Sequence, residues 1–191
     1  DLIVSSFPAV NDLGGDKWNI TSDEIVSRMR SGKPVRWGSV PRPEIVGVLQ
    51  KASQEVQIPI SMLSVPEFRQ PLETLGGHTL GGLYAFSVDH KERGKKGVIP
   101  FLFELAGVRA TTEDVIAAMK RNRAIQWRPL PREVIKTLLE RVAEEHGKTA
   151  NTLVFEDFEK PCVLLDGRNL ASVYQHFVVH PDRKGKPVMV F

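Results

Sequence analysis

An α+β fold built twice is what the sequence predicts, and three observations predict it. Displaced by 90 residues, the segment 21–101 aligns on 111–191 without a gap, and 21 of the 81 pairs are identical, where segments of average composition would share roughly 5. In each copy, the first half carries apolar residues at helical spacing. The last third carries glycine-rich turn signals and a run of apolar, β-branched and aromatic residues, which reads as strands closing into a β-hairpin.

The identities fall on distinctive residues: Met29/Met119, Trp37/Trp127, Phe68/Phe158, Pro71/Pro161, Gly77/Gly167, Tyr84/Tyr174, His90/His180, Arg93/Arg183 and Phe101/Phe191. The chain therefore divides into a lead-in over 1–20, a first repeat unit over 21–101, a connector over 102–110 and a second unit over 111–191. Units of about 80 residues have small cores, so the two are expected to pack as a pseudo-dimer within the chain.

Each unit opens with a helix. Thr21 followed by Glu24, and Thr111 followed by Asp114, place a capping hydroxyl three residues before an acid, the pattern that satisfies the first orphan amides of a helix. The apolar stripe is Ile25, Val26 and Met29, or Val115, Ile116 and Met119, and the helix should end near Gly32 and Asn122. A short extended piece follows around Trp37 and Trp127. Pro41 and Pro131 then introduce the strongest helix, with shared apolar positions 45, 48, 49 and 52, or 135, 138, 139 and 142, at i, i+3, i+4, i+7. Residues 58–68 and 148–158 form a short element, interrupted by Pro59 and Pro66 in the first copy only.

The strand expectation covers the rest. Gly76 and Gly77, and Asp166 and Gly167, read as turns. Leu80, Tyr84, Phe86, Val88 and His90 share one parity, as do Leu170, Tyr174, Val178 and His180. A basic tip over 91–97 or 181–186 then leads into 98–101 or 188–191 as the return strand. The order of elements is that of a winged helix, in which a third helix enters a groove and the hairpin touches phosphate.

The bulk composition narrows the function class. The 191 residues are 41% hydrophobic and 26% charged with a net charge of +3, which suits a globular chain. The first unit holds 11 basic and 8 acidic residues and the second 13 and 11, or +3 and +2. This mild, shared excess permits a polyanionic partner. The lone Cys162 excludes an internal disulfide framework and fits a reducing, intracellular setting, cytoplasmic or nuclear. No apolar run approaches the roughly 20 residues of a membrane span, so no membrane partner is expected. The chain begins at Asp1, and reads as a domain of a larger protein.

Two constellations carry the functional expectation. Around the tryptophans runs a basic belt, Lys33, Arg36 and Arg42 in the first unit and Arg123, Arg128 and Arg132 in the second; cations that neutralise phosphates beside an indole suit nucleic acid. The tryptophans themselves read as core residues. The hairpin tips repeat Arg93, Lys95 and Lys96 as Arg183, Lys184 and Lys186, two basic fingers that could grip two phosphate stretches. The bland reading of each is a solvated face and a lysine-protected turn.

His90 and His180 coincide beside Asp89 and Asp182, yet His78, His146 and His176 have no counterparts, so no metal-ligand set repeats. No nucleophile elbow, phosphate loop or dinucleotide fingerprint is present. The expectation is a non-enzymatic module without catalytic residues, metal or small-molecule cofactor. Its partner is nucleic acid, held through the basic tips and segments. The alternative is a protein-interaction or scaffolding domain, which an apolar surface patch would favour.

Overall fold

The computed structural model describes residues 17–179, and these contain helices and turns but no strand. The α+β expectation is thereby corrected, together with the hairpin of the first unit and the winged-helix order that needs it. The hairpin expected over 181–191 lies outside the described residues. By its internal contacts the chain falls into two units, Asp1–Arg109 and Ala110–Phe191.

The first unit comprises α1 (Ser22–Arg30), α2 (Arg42–Val56), α3 (Val65–Arg69), α4 (Gly81–Asp89) and α5 (Val98–Ala106). The second repeats the first four at a spacing of 90 as α6 (Thr112–Lys120), α7 (Arg132–Glu145), α8 (Phe155–Glu159) and α9 (Ala171–Val179). Single 3₁₀ turns recur as well, Ile60–Met62 with Ala150–Thr152 and Glu73–Leu75 with Val163–Leu165.

Helices α1 and α6 start as their sequences predict. Thr21 Oγ1 accepts from Glu24 N while Glu24 Oε1 accepts from Thr21 N (3.2 and 2.9 Å). Thr111 and Asp114 repeat the exchange at 3.1 and 3.2 Å. The long helices bury their expected stripes, Ile45, Val48, Leu49 and Ala52 in α2 and Ile135, Leu138, Leu139 and Val142 in α7. The two helices of each pair are also bridged at matching surface positions, Lys51–Asp23 (3.1 Å) and Arg141–Glu113 (2.6 Å).

The close approach of α1 to α2 requires a glycine. Ser22 Oγ donates to Glu44 Oε1 and to Glu44 O (2.8 and 3.1 Å). A Cβ at Gly47 would lie 1.9 Å from that oxygen. In the second unit Thr112 Oγ1 donates to Val134 O at 3.1 Å, and position 137 is threonine.

The residues expected to alternate in a strand instead turn through α4. Leu83 and Ser87, four apart, are buried, and Tyr84 sets its ring 6.1 Å from that of Phe68. Tyr174 meets Phe158 likewise at 5.6 Å. Thr79 Oγ1 accepts from Gly81 N and Asn169 Oδ1 from Ala171 N (3.1 and 3.0 Å), so a side-chain turn leads into each helix. The glycine-rich signals are turns, as expected, but between helices: Gly77 and Gly167 sit at φ 90° and 89°, where a side chain is strained. The supposed return strand is the first turn of α5, whose Ile99, Phe101, Leu102 and Leu105 are buried.

A glutamate at the end of each long helix fastens the last third of the unit. Glu55 accepts from Glu73 N, Thr74 N and Thr74 Oγ1 (2.9, 2.8 and 2.7 Å). Glu145 accepts from Val163 N and Leu164 N (2.7 and 2.9 Å). These donors, Thr74 foremost for Glu55 and Leu164 foremost for Glu145, hold both carboxyls below the ordinary glutamate range.

Asp157, 1% exposed, accepts from Lys148 Nζ, Val154 N and Lys160 Nζ (2.7, 2.8 and 3.1 Å). The Lys148 bond and then the Val154 amide hold the pKa of its carboxyl far below the ordinary value of 3.8. Because the folded pKa is depressed, this stabilisation is complete above the unfolded value and fades as the pH falls below it. Asp157→Asn should cost about 2 kcal/mol at pH 7, the worth of hydrogen bonds to a charged group. In chemical denaturation the difference from the parent should shrink as the pH drops from about 4. Gly47→Ala should lower stability by about 1 kcal/mol or more, the overpacking outweighing the gain in helix propensity; a raised melting temperature would contradict that geometry.

Candidate functional site

The predicted basic residues separate into those that hold the fold and those that face solvent. At the first tip Arg93 turns inward, donating from Nε to Val88 O and from Nη1 to Lys96 O (3.1 and 2.7 Å). Lys96 pairs with Glu104 of α5 at 2.6 Å, and Lys95 is exposed. The tip is a 3₁₀ turn, Lys91–Arg93, between two helices. Arg183, Lys184 and Lys186 lie outside the described residues.

In the belt, the Arg36 guanidinium lies 4.5 Å above the Trp18 ring and that of Arg28 5.0 Å from it, a cation–π arrangement that occupies both cations. Arg28 also donates twice to Pro34 O, at 3.1 and 2.9 Å. Lys33, Arg42, Arg128 and Arg132 are exposed, and Arg123 is half-buried. Trp37 and Trp127 are buried at 7% and 5% exposure, so neither offers a face for a base. Trp127 Nε1 donates to Ser172 Oγ at 3.1 Å.

A groove of about 920 Å³ lies in the second unit, running along α7 and bounded by Phe177 of α9 and the turn at Ala150. Its apolar residues are Ile135, Ala150 and Phe177, and its rim carries Arg132, Lys136, Glu140, Glu144 and Lys148. The volume lies in the range that accommodates an organic ligand or a few side chains. Val154, Phe155 and Val179 of the same unit are also exposed, at 47%, 44% and 73%.

The repeat shows what fills the corresponding place in the first unit. There α5 packs against α2 and α4, the counterparts of α7 and α9. Val46, Ile58, Ile60 and Ser87 are wholly or half buried. Their partners at the groove are Lys136, Lys148, Ala150 and Phe177, the first two exposed and the last two half-buried. Two apolar side chains have become exposed lysines, and a buried serine has become a half-exposed ring. These residues escaped the search for shared chemistry because they are the positions where the two copies disagree; the signal was a reversal of polarity at matched places on an amphipathic helix.

The remaining titratable groups are structural. His90 Nδ1 accepts from Glu92 N at 3.1 Å and its ring packs 5.3 and 5.1 Å from Phe86 and Phe101. Among the described residues no three His, Cys, Asp or Glu side chains converge on a metal position, and no helix is long and apolar enough to cross a membrane. Cys162 is fully buried, with Sγ 3.9 Å from His146 Nε2. Burial, reinforced by the Glu145 charge, pushes its thiol up to about 11. Compared with family models, curated proteins and solved structures, the chain matches none.

The thiolate is the reactive form of cysteine, so Cys162 should resist a disulfide-exchange reagent at pH 8 and react promptly once the protein is unfolded in guanidinium. Stoichiometric labelling of the folded chain within seconds would refute the packing described for it.

Proposed function

We propose that the chain is a non-enzymatic binding module that takes up a helical segment of a partner protein in the groove between α7 and α9. The observation that carries this reading is the contrast between the copies. One scaffold holds an apolar helix over α2 and α4; among the described residues of the other, the matched surface carries an aromatic ring at its edge and charges along its rim. An amphipathic helix laid into such a groove buries its apolar face and meets the rim with its polar one.

Nucleic-acid binding remains the second reading, supported by exposed Lys33, Arg42, Arg128 and Arg132. Its geometry is thinner than the sequence suggested, since Arg93 and Lys96 serve the turn and the tryptophans are buried.

A labelled peptide carrying the α5 sequence, residues 95–108, is a direct probe. It should bind the chain with a Kd of about 1–100 μM, between −8 and −5 kcal/mol. Ala150→Trp, which fills the end of the groove, should weaken binding at least tenfold while leaving the melting temperature within a few degrees. If duplex or single-stranded nucleic acid binds instead at low salt, and substitution of Lys33, Arg42, Arg128 and Arg132 by Ala abolishes that binding while Ala150→Trp does not, the groove reading fails and the basic face is the site.

A further inference from the structure

We propose that the start of α4 in the first unit is a binding site for a small oxyanion, one oxygen of which accepts from Trp37 Nε1. The second unit shows what that indole requires. There Trp127, buried at 5% exposure, donates from Nε1 to Ser172 Oγ at 3.1 Å. Ser172 is the second residue of α9, and its counterpart in α4 is Gly82. Trp37 keeps the same aim, with Nε1 3.4 Å from where a Cβ on Gly82 would stand. The hydroxyl is not there, and nothing among the described residues accepts from Trp37 Nε1 in its stead. Trp37 is 7% exposed, and an N–H so enclosed is costly to leave unbonded.

Folding alone does not ask for glycine at position 82. The backbone there is helical and outside the left-handed region. An added Cβ would meet Trp37 Nε1 at an ordinary contact distance, so alanine or serine fits. Glycine is a poor helix former; what it offers is close approach of a ligand to the backbone. Gly82 is exposed and Gly81 half-buried, so that approach is from solvent. The amides add to the indole. Gly81 N is taken by Thr79 Oγ1 at 3.1 Å, but among the described residues nothing accepts from Gly82 N or Leu83 N. In α9 the amide matching Leu83, that of Val173, is bonded to Leu170 O at 3.0 Å. Gly82 N and the Cβ position beside the indole share one Cα, so both donors lie within reach of one small group. They stand at the positive end of a nine-residue helix, where negative charge is favoured. A carboxylate or a phosphate brings that charge and more than one acceptor oxygen, and the oxyanion is the chemistry the two share.

The test uses the isotope-labelled chain, whose three tryptophans give three indole N–H resonances. The probes are inorganic phosphate and acetate, each titrated to about 50 mM at constant ionic strength so that screening stays fixed. The Trp37 resonance should move saturably with a Kd of about 1–10 mM, while that of Trp127, bonded to Ser172, stays in place. Response to phosphate alone makes the ligand group a phosphoryl; response to acetate alone makes it a carboxylate. Gly82→Ser, which supplies the acceptor from the chain as the second unit does, should abolish the response without lowering the melting temperature. Gly82→Ala, which closes the approach and supplies no acceptor, should weaken it at least tenfold. A Trp37 resonance indifferent to both anions overturns the anion site, water then being partner enough for the indole. So does a Trp37 shift that survives both substitutions, or an equal, unsaturated drift of all three indoles, which marks an adventitious ion only.

Discussion

In both units, the carboxylate at the end of the long helix gathers two consecutive backbone N–H groups from a turn 18 and 19 residues further on. The rest of the unit is arranged from that point. The turn it captures lies beside the first helix, where Arg30 donates to Glu73 O and Thr74 O (2.9 and 3.1 Å). Just beyond it the chain doubles back, with Leu72 accepting from Gly77 N at 2.8 Å and Cys162 accepting from Gly167 N at 2.8 Å. The last repeated helix then begins over the ring of Phe68 or Phe158. A single acceptor thus fixes where the third quarter of the unit sits. Since two of the donors are backbone N–H groups in both units, Glu73 and Thr74 can become Val163 and Leu164 with only the Thr74 hydroxyl bond lost, while Glu55 and Glu145 stay glutamate.

The first half of each unit was legible because its signals are local. Caps at Thr21 and Thr111 and the i, i+3, i+4, i+7 face of the long helices specify both a period and a start. The last helices were not, for a physical reason. Gly81 to Asp89 is apolar nearly all round, so no helical period stands out, and its Tyr, Phe and Val have strand propensity that tertiary packing overrides. Thr79 and Asn169, whose side chains bond the first amide of each helix, stand in the sequence beside glycines that read equally well as hairpin turns. Glycine marked the bends correctly and said nothing about what the bends connect.

The candidate site was illegible in a different way. Reading the duplication for agreement finds scaffold: the buried tryptophans, Phe68 and Phe158, and the glutamates at the ends of the long helices. The groove residues are among the positions where the two copies disagree. Val46 against Lys136 and Ser87 against Phe177 look like drift in a string of letters. On the folded chain Lys136 and Phe177 line one groove, between helices whose counterparts carry α5 in the first unit.

Gly47 has a consequence for how such a chain reaches its native state at all. Tandem copies of one fold are prone to trade equivalent helices between domains and trap one another during synthesis. Here the trade is blocked sterically. Helix α7 in the place of α2 would bring Thr137 to the position where even a Cβ falls 1.9 Å from Ser22 Oγ. Helix α9 in the place of α4 would drive Phe177 into the fully enclosed site of Ser87. The divergence at these two positions therefore keeps the two copies from being mistaken for each other as they fold.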